Sequence, residues 1–401
     1  MSAGLSQPSE IRSPRLMWSL GTAIVCRILL NTSRRFVYPF APALGRGLGV
    51  PLTAITSLIA LNQATAVIGL FFGPVSDRAG YRVMMLGSLL TLAVGMLGAA
   101  CLPFYGVVML AFFMAGLGKS IFDPAIQAFV GERVSYERRG QAVGFLEVSW
   151  AGSSLVGIPA VGFLMQAYGW RVPFFVLGIL ALAGLGLLAF LLPRDRQRAG
   201  CRKDRNGWLA MIQSLVKSRE ALGAVGFAFF FNAANDVFFV VYGAWLEASF
   251  SISIAALGAG TAVIGLAELC GEGLTASISD RLGLKKSVLI GACATVMSYA
   301  LIPFFGNGLT MAFAGIFLIF LAAEFSIVTS IALFTEILPG SRATMIAAVM
   351  AAAGLGRVAG ALVGGPVWMA GGIAVTGLVS AAISLAAIAS LSAGLKGWRM
   401  M

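Results

Sequence analysis

The sequence predicts an all-helical protein that crosses a membrane many times. Hydrophobic residues make up 59% of its 401 residues before the 50 glycines are counted, and only 11% are charged. Soluble domains carry about 25% charged residues, and the mean hydropathy of +0.92 corresponds to more apolar surface than a soluble core can bury. The apolar stretches are continuous and about 20 residues long, which suits membrane helices and exceeds the alternating strands of about 10 residues in a β-barrel.

Twelve apolar stretches follow one another along the chain, with short polar segments between them. They are predicted as spans 1 to 12 at residues 17–41, 52–75, 83–102, 107–130, 142–166, 173–192, 221–248, 255–278, 287–304, 309–334, 345–369 and 373–391. The first stretch is longer than a signal-peptide core and lacks a small-residue cleavage site, so we expect it to remain as a span. The predicted organisation is a tail at 1–15, a six-helix bundle at 16–192, a charged linker at 193–220, a second six-helix bundle at 221–394 and a tail at 395–401.

The basic residues predict which way the chain faces. An even number of spans places both termini on one side, and 21 of the 28 Lys and Arg residues fall on that side. Two of them, Arg46 and Arg171, fall on the opposite side, and five lie inside spans. Loops rich in Lys and Arg stay in the cytoplasm, so both termini and the linker are expected there, with the spans in the plasma (inner) membrane. The net charge of +12 is then spread over loops that face anionic lipid, and no nucleic-acid partner is expected.

The composition also limits the chemistry that the chain can perform. It contains no His, and its five Cys show neither metal-ligand spacing nor a disulfide framework. His-dependent acid–base chemistry and His metal ligation are therefore excluded for this chain. The sequence also lacks a G-x-S-x-G nucleophile motif. We expect a protein that is not an enzyme and that needs no metal and no cofactor.

A short motif occurs twice in the sequence. Residues 76–82 read Ser-Asp-Arg-Ala-Gly-Tyr-Arg, and residues 279–285 read Ser-Asp-Arg-Leu-Gly-Leu-Lys, at an offset of 203 residues. Glu132 and Arg138 recur as Glu336 and Arg342 at an offset of 204 residues. Two features that return at nearly the same offset indicate that each half is one copy of a six-span unit. Such repeats are typical of transporters whose substrate site lies at the interface between the two copies.

The repeated motif resembles the signature loop of the major facilitator superfamily, G-x-x-x-D-R-x-G-R-R/K, which joins spans 2 and 3. The matching residues are Gly73, Asp77, Arg78, Gly80 and Arg82. Tyr81 departs at one basic position, and Ala276 replaces the first glycine in the second copy. The resemblance extends over residues 15–396. It implies twelve transmembrane helices in two pseudo-symmetric six-helix bundles, and a monomer.

The resemblance also implies a gate on the cytoplasmic side. Asp77 would face the N-terminal end of span 11, near Arg342 and Ala343, where the helix dipole stabilises a carboxylate. The residues of this gating motif are Gly73, Asp77, Arg78, Gly80, Arg82, Asp280, Arg281 and Gly283. The alternative is a tight glycine turn whose charged side chains are solvated.

Span 5 carries a second, partial resemblance. Residues 154–163 read Ser-Leu-Val-Gly-Ile-Pro-Ala-Val-Gly-Phe, similar to the proton-antiporter motif g-x-x-x-G-P-x-x-G-G of the superfamily. Pro159 and Gly162 keep their motif positions and Ser154 stands at the first, small position, whereas Ile158 and Phe163 replace glycines. Such glycines permit close helix approach and a bend. The match favours an exporter over an importer.

Charged residues inside the spans are the main functional signal. At bilayer depth each one disfavours insertion by roughly 2.5–3.5 kcal/mol, so such residues normally face the interior of the bundle. In span 1, residues 27, 31, 34 and 38 form one polar stripe at helical spacing. The substrate-binding candidates are Arg27, Asn31, Arg34, Arg35, Tyr38, Lys119, Asn232, Asn235 and Arg357. A carboxyl group taken out of water binds a proton more readily, and the proton-coupling candidates are Glu147, Asp236, Glu268, Glu324 and Asp123.

Structural explanations stay open for some of these charges. Lys119 and Asp123 lie one helical turn apart and could neutralise each other as a local pair. Arg27 and Glu272 could extend to a membrane surface with their long side chains. By half, the charge inside the spans is +2 in the first and −3 in the second. This difference predicts a basic wall that faces an acidic wall across a central cavity.

Two transport functions follow from these features. The first is alternating access that exchanges a small organic solute for protons, as the resemblance to the drug and sugar efflux branch implies. The halves would then rock about a site near Arg34, Glu147 and Asp236. The alternative is an organic-anion, organophosphate or lipid-headgroup transporter that uses Arg34, Arg35 and Lys119, because guanidinium groups bind phosphates and carboxylates through paired hydrogen bonds. The expected partners are the solute, the lipid bilayer and, for the first function, protons.

Overall fold

A computed structural model of the protein describes residues 14–69, 80–133, 146, 148–193, 217–338 and 342–398. Within these ranges the chain forms helices joined by short turns and contains no strand, as predicted. The first half contains Pro14–Arg35 (span 1), Leu52–Gly69 (span 2), Tyr81–Cys101 (span 3), Tyr105–Arg133 (span 4), Val148–Tyr168 (span 5) and Val172–Leu191 (span 6). The second half contains Arg219–Phe239 (span 7), Ile254–Leu282 (span 8), Leu284–Leu301 (span 9), Leu309–Ile337 (span 10) and Arg342–Gly394 (spans 11 and 12).

The predicted number of twelve spans is confirmed. Ten of the described helices are long and apolar enough to cross a membrane. One of them, Arg342–Gly394, has non-helical backbone at Gly371 and Gly372, which divides it into spans 11 and 12. Span 1, which contains four arginines and is therefore less apolar, completes the set.

The helices of spans 1 and 7 are shorter than predicted, because each is interrupted by a turn. The helix of span 1 ends at Arg35, and a short helix, Ala41–Leu48, follows after a turn. Pro39 lies in that turn, and a proline ring clashes with the carbonyl group four residues earlier, which here belongs to Arg35. Span 7 ends at Phe239, 204 residues after Arg35, and a second short helix follows at Tyr242–Phe250. Span 7 also begins two residues inside the predicted linker, at Arg219.

Equivalent backbone conformations in the two halves confirm the internal repeat. Left-handed backbone occurs at three pairs of positions that lie 202 or 203 residues apart: Gly49 and Ser251, Gly80 and Gly283, and Gly169 and Gly372. Gly80 has φ 92° and ψ 144°, and Gly283 has φ 84° and ψ 134°. Both of these glycines immediately precede a span, which explains why the repeated motif keeps a glycine there. The chain therefore has the two pseudo-symmetric bundles that the repeat predicted.

The two bundles pack on each other through spans 2 and 11 and through spans 5 and 8. We call the side where the described chain begins and ends the termini face, and the side that carries the two short helices the opposite face. On the opposite face the short helices also meet, and Arg46 Nη2 lies 2.7 Å from Glu247 Oε1. The bundles are therefore joined on the opposite face.

Close backbone approach at Gly243 closes this junction. A Cβ atom added to Gly243 would lie 2.2 Å from the carbonyl oxygen of Pro39, in the turn after span 1. Contacts shorter than 3 Å with backbone atoms cannot be relieved by rotating a side chain. A glycine is therefore required here if the two halves are to stay closed.

Gly243→Val is expected to hold the halves apart on the opposite face. The added branched side chain would displace the turn that contains Pro39, so nearby residues should become accessible. The measurement is maleimide labelling of an Ala244→Cys reporter in nanodiscs, because Ala244 is only 8% exposed. Labelling should be faster with Gly243→Val than without it. Gly106→Val is the control, since a Cβ there meets no atom within 4 Å, and equal labelling rates in all three proteins would contradict the prediction.

Candidate functional site

A cavity of about 800 Å³ lies between the two bundles, on the side of the termini face. Spans 1, 2, 4 and 5 line it from the first half, and spans 7, 8, 10 and 11 line it from the second. Tyr38 and Phe239 stack at its deep end, with ring centroids 4.2 Å apart. Beyond them the contact between Pro39 and Gly243 closes the opposite face. The volume is typical of a site for a small organic molecule, which ranges from roughly 300 to 1,000 Å³.

Most of the predicted site residues line this cavity. They are Arg27, Arg34, Arg35, Tyr38, Lys119, Asp123, Asn232, Asn235, Asp236, Glu268, Glu324 and Arg357. Asn31 does not line it: its amide donates to the carbonyl oxygen of Ser149 at 3.1 Å and packs span 1 against span 5. Glu147 lies outside the described residues.

The shortest link between the bundles at the cavity is the ion pair of Arg35 and Glu268. Arg35 Nη2 lies 2.6 Å from Glu268 Oε1, and both side chains are only 3% exposed. Trp150 Nε1 donates to the same Oε1 at 3.0 Å, and Ser154 Oγ donates to Oε2 at 3.3 Å. The Arg35 guanidinium also stacks 4.2 Å from the centre of the Trp150 ring. Span 1 and span 5 of the first half thus hold a carboxylate of span 8 in the second half.

A second link runs from Tyr38 to span 7. The Tyr38 hydroxyl donates to Asp236 Oδ1 at 3.0 Å. Arg357 Nε lies 3.9 Å from Asp236 Oδ2 and donates to Asn232 Oδ1 at 3.1 Å. Gln63 donates to the Tyr38 hydroxyl from span 2. Asp236 is therefore held by a neutral donor from one half and by a cation from its own half.

Arg34 is bound by neutral groups. Its Nε donates to Asn62 Oδ1 at 2.9 Å, and its Nη2 donates to Gln63 Oε1. Asn62 is fixed in turn by donating to the carbonyl oxygen of Phe112 at 2.6 Å. Among the described residues, no carboxylate lies within 4 Å of Arg34. Arg34 therefore forms no ion pair in this part of the chain, and Asp123 and Asp236 act on it only from a greater distance.

Asp123 is neutralised within the first half. Arg27 Nε lies 2.9 Å from its Oδ1, and Lys119 Nζ lies 2.6 Å from its Oδ2. The local pair of Lys119 and Asp123 is thus present. The interpretation that Arg27 extends to a membrane surface is wrong, because Arg27 is 3% exposed and points to Asp123. Two cations on one carboxylate make Asp123 a weaker candidate for carrying a proton than Glu268 or Asp236.

Glu324 stands apart from these pairs. It lies on span 10 where that helix approaches span 8, and a Cβ added to Gly271 would lie 2.8 Å from the Glu324 Cβ. Glu268 and Glu272 flank Gly271 on span 8, and both line the cavity. Glu324 has no hydrogen-bond or ion-pair partner among the residues that the structure describes. The predicted contrast between a basic and an acidic wall is thus reduced by ion pairs and persists most clearly at Arg34 and Glu324.

The antiporter-like residues of span 5 interrupt its regular α-helix and pack against span 8. Residues 153–157 form a π-helical turn that ends two residues before Pro159, because a proline leaves the carbonyl four residues earlier without its usual donor. Ser154 lies in this turn and binds Glu268. A Cβ added to Gly162 would lie 3.1 Å from the Cα of Gly258 on span 8. The motif residues therefore position the contact between the two halves.

The gating motif is only partly described. Gly73, Asp77 and Arg78 lie outside the described residues, and Asp280 is described as backbone alone. Gly80 and Gly283 have the left-handed backbone already given. Arg82 donates to the carbonyl oxygen of Ala189 on span 6, and Arg281 is exposed on the termini face. The gating role stays a prediction.

Three uncharged residues of the site were missed by the sequence analysis. Asn62, Gln63 and Trp150 hold Arg34, Tyr38 and Glu268 in place. Adjacent amides in an otherwise apolar span, at positions 62 and 63, were the signal that could have identified the first two. A single tryptophan in a membrane helix carries no comparable signal.

The chain is similar to known transporters. A family model described as Major Facilitator Superfamily matches residues 23–235, slightly more than half of the chain. The uncharacterized MFS-type transporter YceJ of Bacillus subtilis (strain 168) is 28% identical over 302 residues, 75% of this chain and 76% of YceJ. The puromycin resistance protein pur8 of Streptomyces alboniger is 29% identical over 206 residues, 51% of this chain and 41% of that protein.

A solved structure supports the same fold. The crystal structure of a bacterial homologue of the human lysosomal transporter Spinster, inward-facing and unoccupied, matches with a TM-score of 0.75 at 14% identity. The match covers 96% of this chain and 94% of that one. Together with twelve spans, two repeated bundles and a cavity between them, these matches assign the family. The chain belongs to the major facilitator superfamily, and it is a multi-pass membrane transporter and not an enzyme.

Proposed function

We propose that the protein exports a small organic solute in exchange for protons. The observation that carries the proposal is the buried bond between Arg35 of span 1 and Glu268 of span 8, at 2.6 Å. It joins the two halves at the cavity that the solute would enter. A group that both binds a proton and connects the halves can couple proton binding to their relative motion.

Protonation of Glu268 would weaken this connection. The proton removes the negative charge, and Arg35 is left as a buried cation without a counterion, which is unfavourable by several kcal/mol. Arrangements that hydrate Arg35, or that bring an anionic group to it, then become favoured. Asp236 offers a second site of the same kind, because it is bound by Tyr38 across the interface. Alternating access would follow from switching between these arrangements.

The orientation belongs to the same proposal. We infer that the termini face lies in the cytoplasm of a plasma membrane, because 21 of 28 basic residues fall on that side. The cavity would then receive solute from the cytoplasm, and the protein would act as a monomer with bundles at 16–192 and 221–394. A cysteine in place of Arg171 should react with an impermeant maleimide in intact cells, and one in place of Lys396 only after permeabilisation. The reverse pattern would overturn the orientation.

The relatives support the direction of transport. Several matching proteins are named for resistance or efflux, among them pur8 and the multi-drug resistance efflux pump PmrA homolog of Lactococcus lactis. The PmrA homolog is 22% identical over 282 residues, 67% of this chain and 68% of that protein. Export of an organic solute by this chain agrees with those names and with the antiporter-like residues of span 5.

A pH-gradient assay tests the proposal. Purified protein is reconstituted into vesicles that contain a pH-sensitive dye and an acidic lumen, and a panel of organic solutes that includes puromycin is added outside. A transported solute should raise the luminal pH and accumulate inside, and collapse of the gradient by a protonophore should stop the accumulation. Protein-free vesicles are the control. Accumulation that is the same with and without the gradient would overturn proton coupling.

An organic-anion transporter is the second candidate. Arg34 favours it, because a buried guanidinium held only by amide oxygens is suited to bind a carboxylate or phosphate. Thermal unfolding in the presence of organic anions and of lipophilic cations separates the two candidates. Stabilisation by the anions alone favours this second function.

A further inference from the structure

Most of the charge that faces the cavity is internally compensated. Five basic and five acidic side chains line it. The ion pairs among them are Arg27 and Lys119 with Asp123, Arg35 with Glu268, and Arg357 with Asp236. Three groups stay outside these pairs. Glu272 has an interaction of its own, and the other two, Arg34 in the first half and Glu324 in the second, have no ion-pair partner in the described part of the chain. One is a base and the other an acid, and they belong to different bundles.

Arg34 presents a donor to the cavity. Its Nε and Nη2 are bound to Asn62 and Gln63, whereas Nη1 has no acceptor among the described residues. Nη1 is not fully buried, and Arg34 lines the cavity, so this donor is accessible from it. The two amides fix the plane of the guanidinium without compensating its charge. An anionic group in the cavity would supply both a counterion and an acceptor.

Glu324 presents an acceptor to the cavity from the second half. It is half-buried and lines the same cavity. The carboxylate across from it on span 8, Glu268, is already bound by Arg35, Trp150 and Ser154. A cationic group near Glu324 could therefore bind its carboxyl group, to which no side chain among the described residues donates a hydrogen bond.

The walls near Glu324 are apolar and aromatic. Phe320 lies one helical turn before Glu324, and Phe227, Phe231 and Phe334 line the same cavity. Aromatic faces attract cations and also pack against apolar groups. A solute with a cationic group here would thus be expected to have a hydrophobic body as well.

We propose that the transported solute is zwitterionic, with an anionic group that binds Arg34, a cationic group that binds Glu324, and an apolar or aromatic body between them. The inference rests on the proposed function, in that this cavity is the solute site. A solute with a single charge would leave either Arg34 or Glu324 without a counterion, and a zwitterion satisfies both. Because the two groups belong to different bundles, such a solute also bridges the halves.

Four probes that share one body test the proposal. They are the dipeptide Phe-Phe (zwitterion), its C-terminal amide (cation), its N-acetyl form (anion) and the doubly capped form (neutral). Binding to the full-length protein in nanodiscs is measured by calorimetry. Phe-Phe should bind about tenfold more tightly than either singly charged form, and the neutral form should bind least. Equal affinity of the four probes, a preference for one singly charged form, or binding of none of them would overturn the proposal.

Two substitutions assign the groups. Arg34→Gln should remove the preference for Phe-Phe over its amide and keep the preference over the N-acetyl form. Glu324→Gln should do the reverse. Arg34→Lys retains the charge and should keep part of the carboxylate preference, which separates loss of charge from misfolding. Arg171→Gln and Glu336→Gln make the same changes on exposed side chains and should leave all four affinities unchanged. Identical probe preferences in the wild type and both cavity variants would overturn the assignment.

The binding assay is independent of the proton-coupling proposal. It is performed at equilibrium without a pH gradient. If none of the probes binds as expected, the zwitterion proposal fails, and proton-coupled transport is still measured separately in vesicles. Conversely, a protein that binds Phe-Phe with the expected preference but transports without proton coupling would refute the exchange mechanism and retain the zwitterion site.

Discussion

Glu268→Gln is expected to reduce proton-driven accumulation of solute strongly while leaving downhill exchange of solute intact. Glutamine occupies the same space, and its one amide oxygen still accepts from Trp150 Nε1, while its amide nitrogen takes the position that faces Ser154 Oγ and donates to it. It does not release a proton, and it leaves Arg35 permanently without its counterion. The variant thus resembles the protonated state, and proton binding can no longer change the connection between the halves. We expect gradient-driven accumulation to fall by about tenfold or more, within the usual range of coupling between two sites.

The measurement uses vesicles with and without an imposed pH gradient. Downhill exchange of labelled for unlabelled solute reports that the variant is folded and binds solute, and gradient-driven accumulation reports coupling. Glu247→Gln is the matched control, because Glu247 is also paired with an arginine at 2.7 Å but lies on the opposite face. Undiminished coupling in Glu268→Gln, and likewise in Asp236→Asn, Glu324→Gln and Glu147→Gln, would contradict the assignment of a proton carrier to these acids.

Arg35→Met is expected to destabilise the protein by about 3 kcal/mol. Removing one partner of a buried ion pair leaves the other charge uncompensated, which typically lowers the free energy of unfolding by about 3–5 kcal/mol. The lower value is expected here because the cavity admits water and because the remaining carboxyl group can bind a proton. Loss of the guanidinium also removes its stacking contact with Trp150, at 4.2 Å.

The double variant Arg35→Met, Glu268→Met should recover most of this stability, to within about 1–2 kcal/mol of the wild type, since apolar replacements of a buried pair are often neutral. The free energy of unfolding is measured in detergent micelles by denaturant titration. Arg342→Met is the control, because the side chains of its pair with Glu336 are 56% and 39% exposed. Losing this exposed pair should change the free energy of unfolding by less than about 1 kcal/mol. A single Arg35→Met variant as stable as this control would show that the buried pair stabilises the fold no more than an exposed one.

Much of the fold could be predicted because its signals are local. Continuous apolar runs predicted the twelve spans, and a motif repeated at 203 residues predicted the two bundles, both of which are confirmed. The breaks after Arg35 and Phe239 were not predicted. Pro39 marks the first break in the sequence, but a hydropathy pattern continues across both of them. The residue at which a helix is interrupted is set by steric contacts of the backbone, and a hydropathy average contains no information about them.

The candidate site was predicted as a set of residues without their partners. A stripe at helical spacing in span 1 correctly indicated Arg27, Arg34 and Tyr38 as interior residues. The same stripe included Asn31, which packs against Ser149 outside the cavity. Spacing identifies the face of a helix that turns inward, and it cannot distinguish contact with a neighbouring helix from contact with the cavity.

By itself, the sequence determined that the chain is a membrane protein of two repeated halves with charges inside its spans. These properties depend on the composition, on the length of the apolar runs and on the offset of the repeat. All three can be read along the sequence without knowing which residues meet in space. Only the tertiary structure decided that Arg35 meets Glu268, 233 positions away, and that Tyr38 meets Asp236, 198 positions away. It also left Arg34 and Glu324 without such partners in the described part of the chain. Charge compensation acts over a few ångströms, so it is settled by which helices pack together, and that packing brings residues from distant parts of the sequence to one cavity.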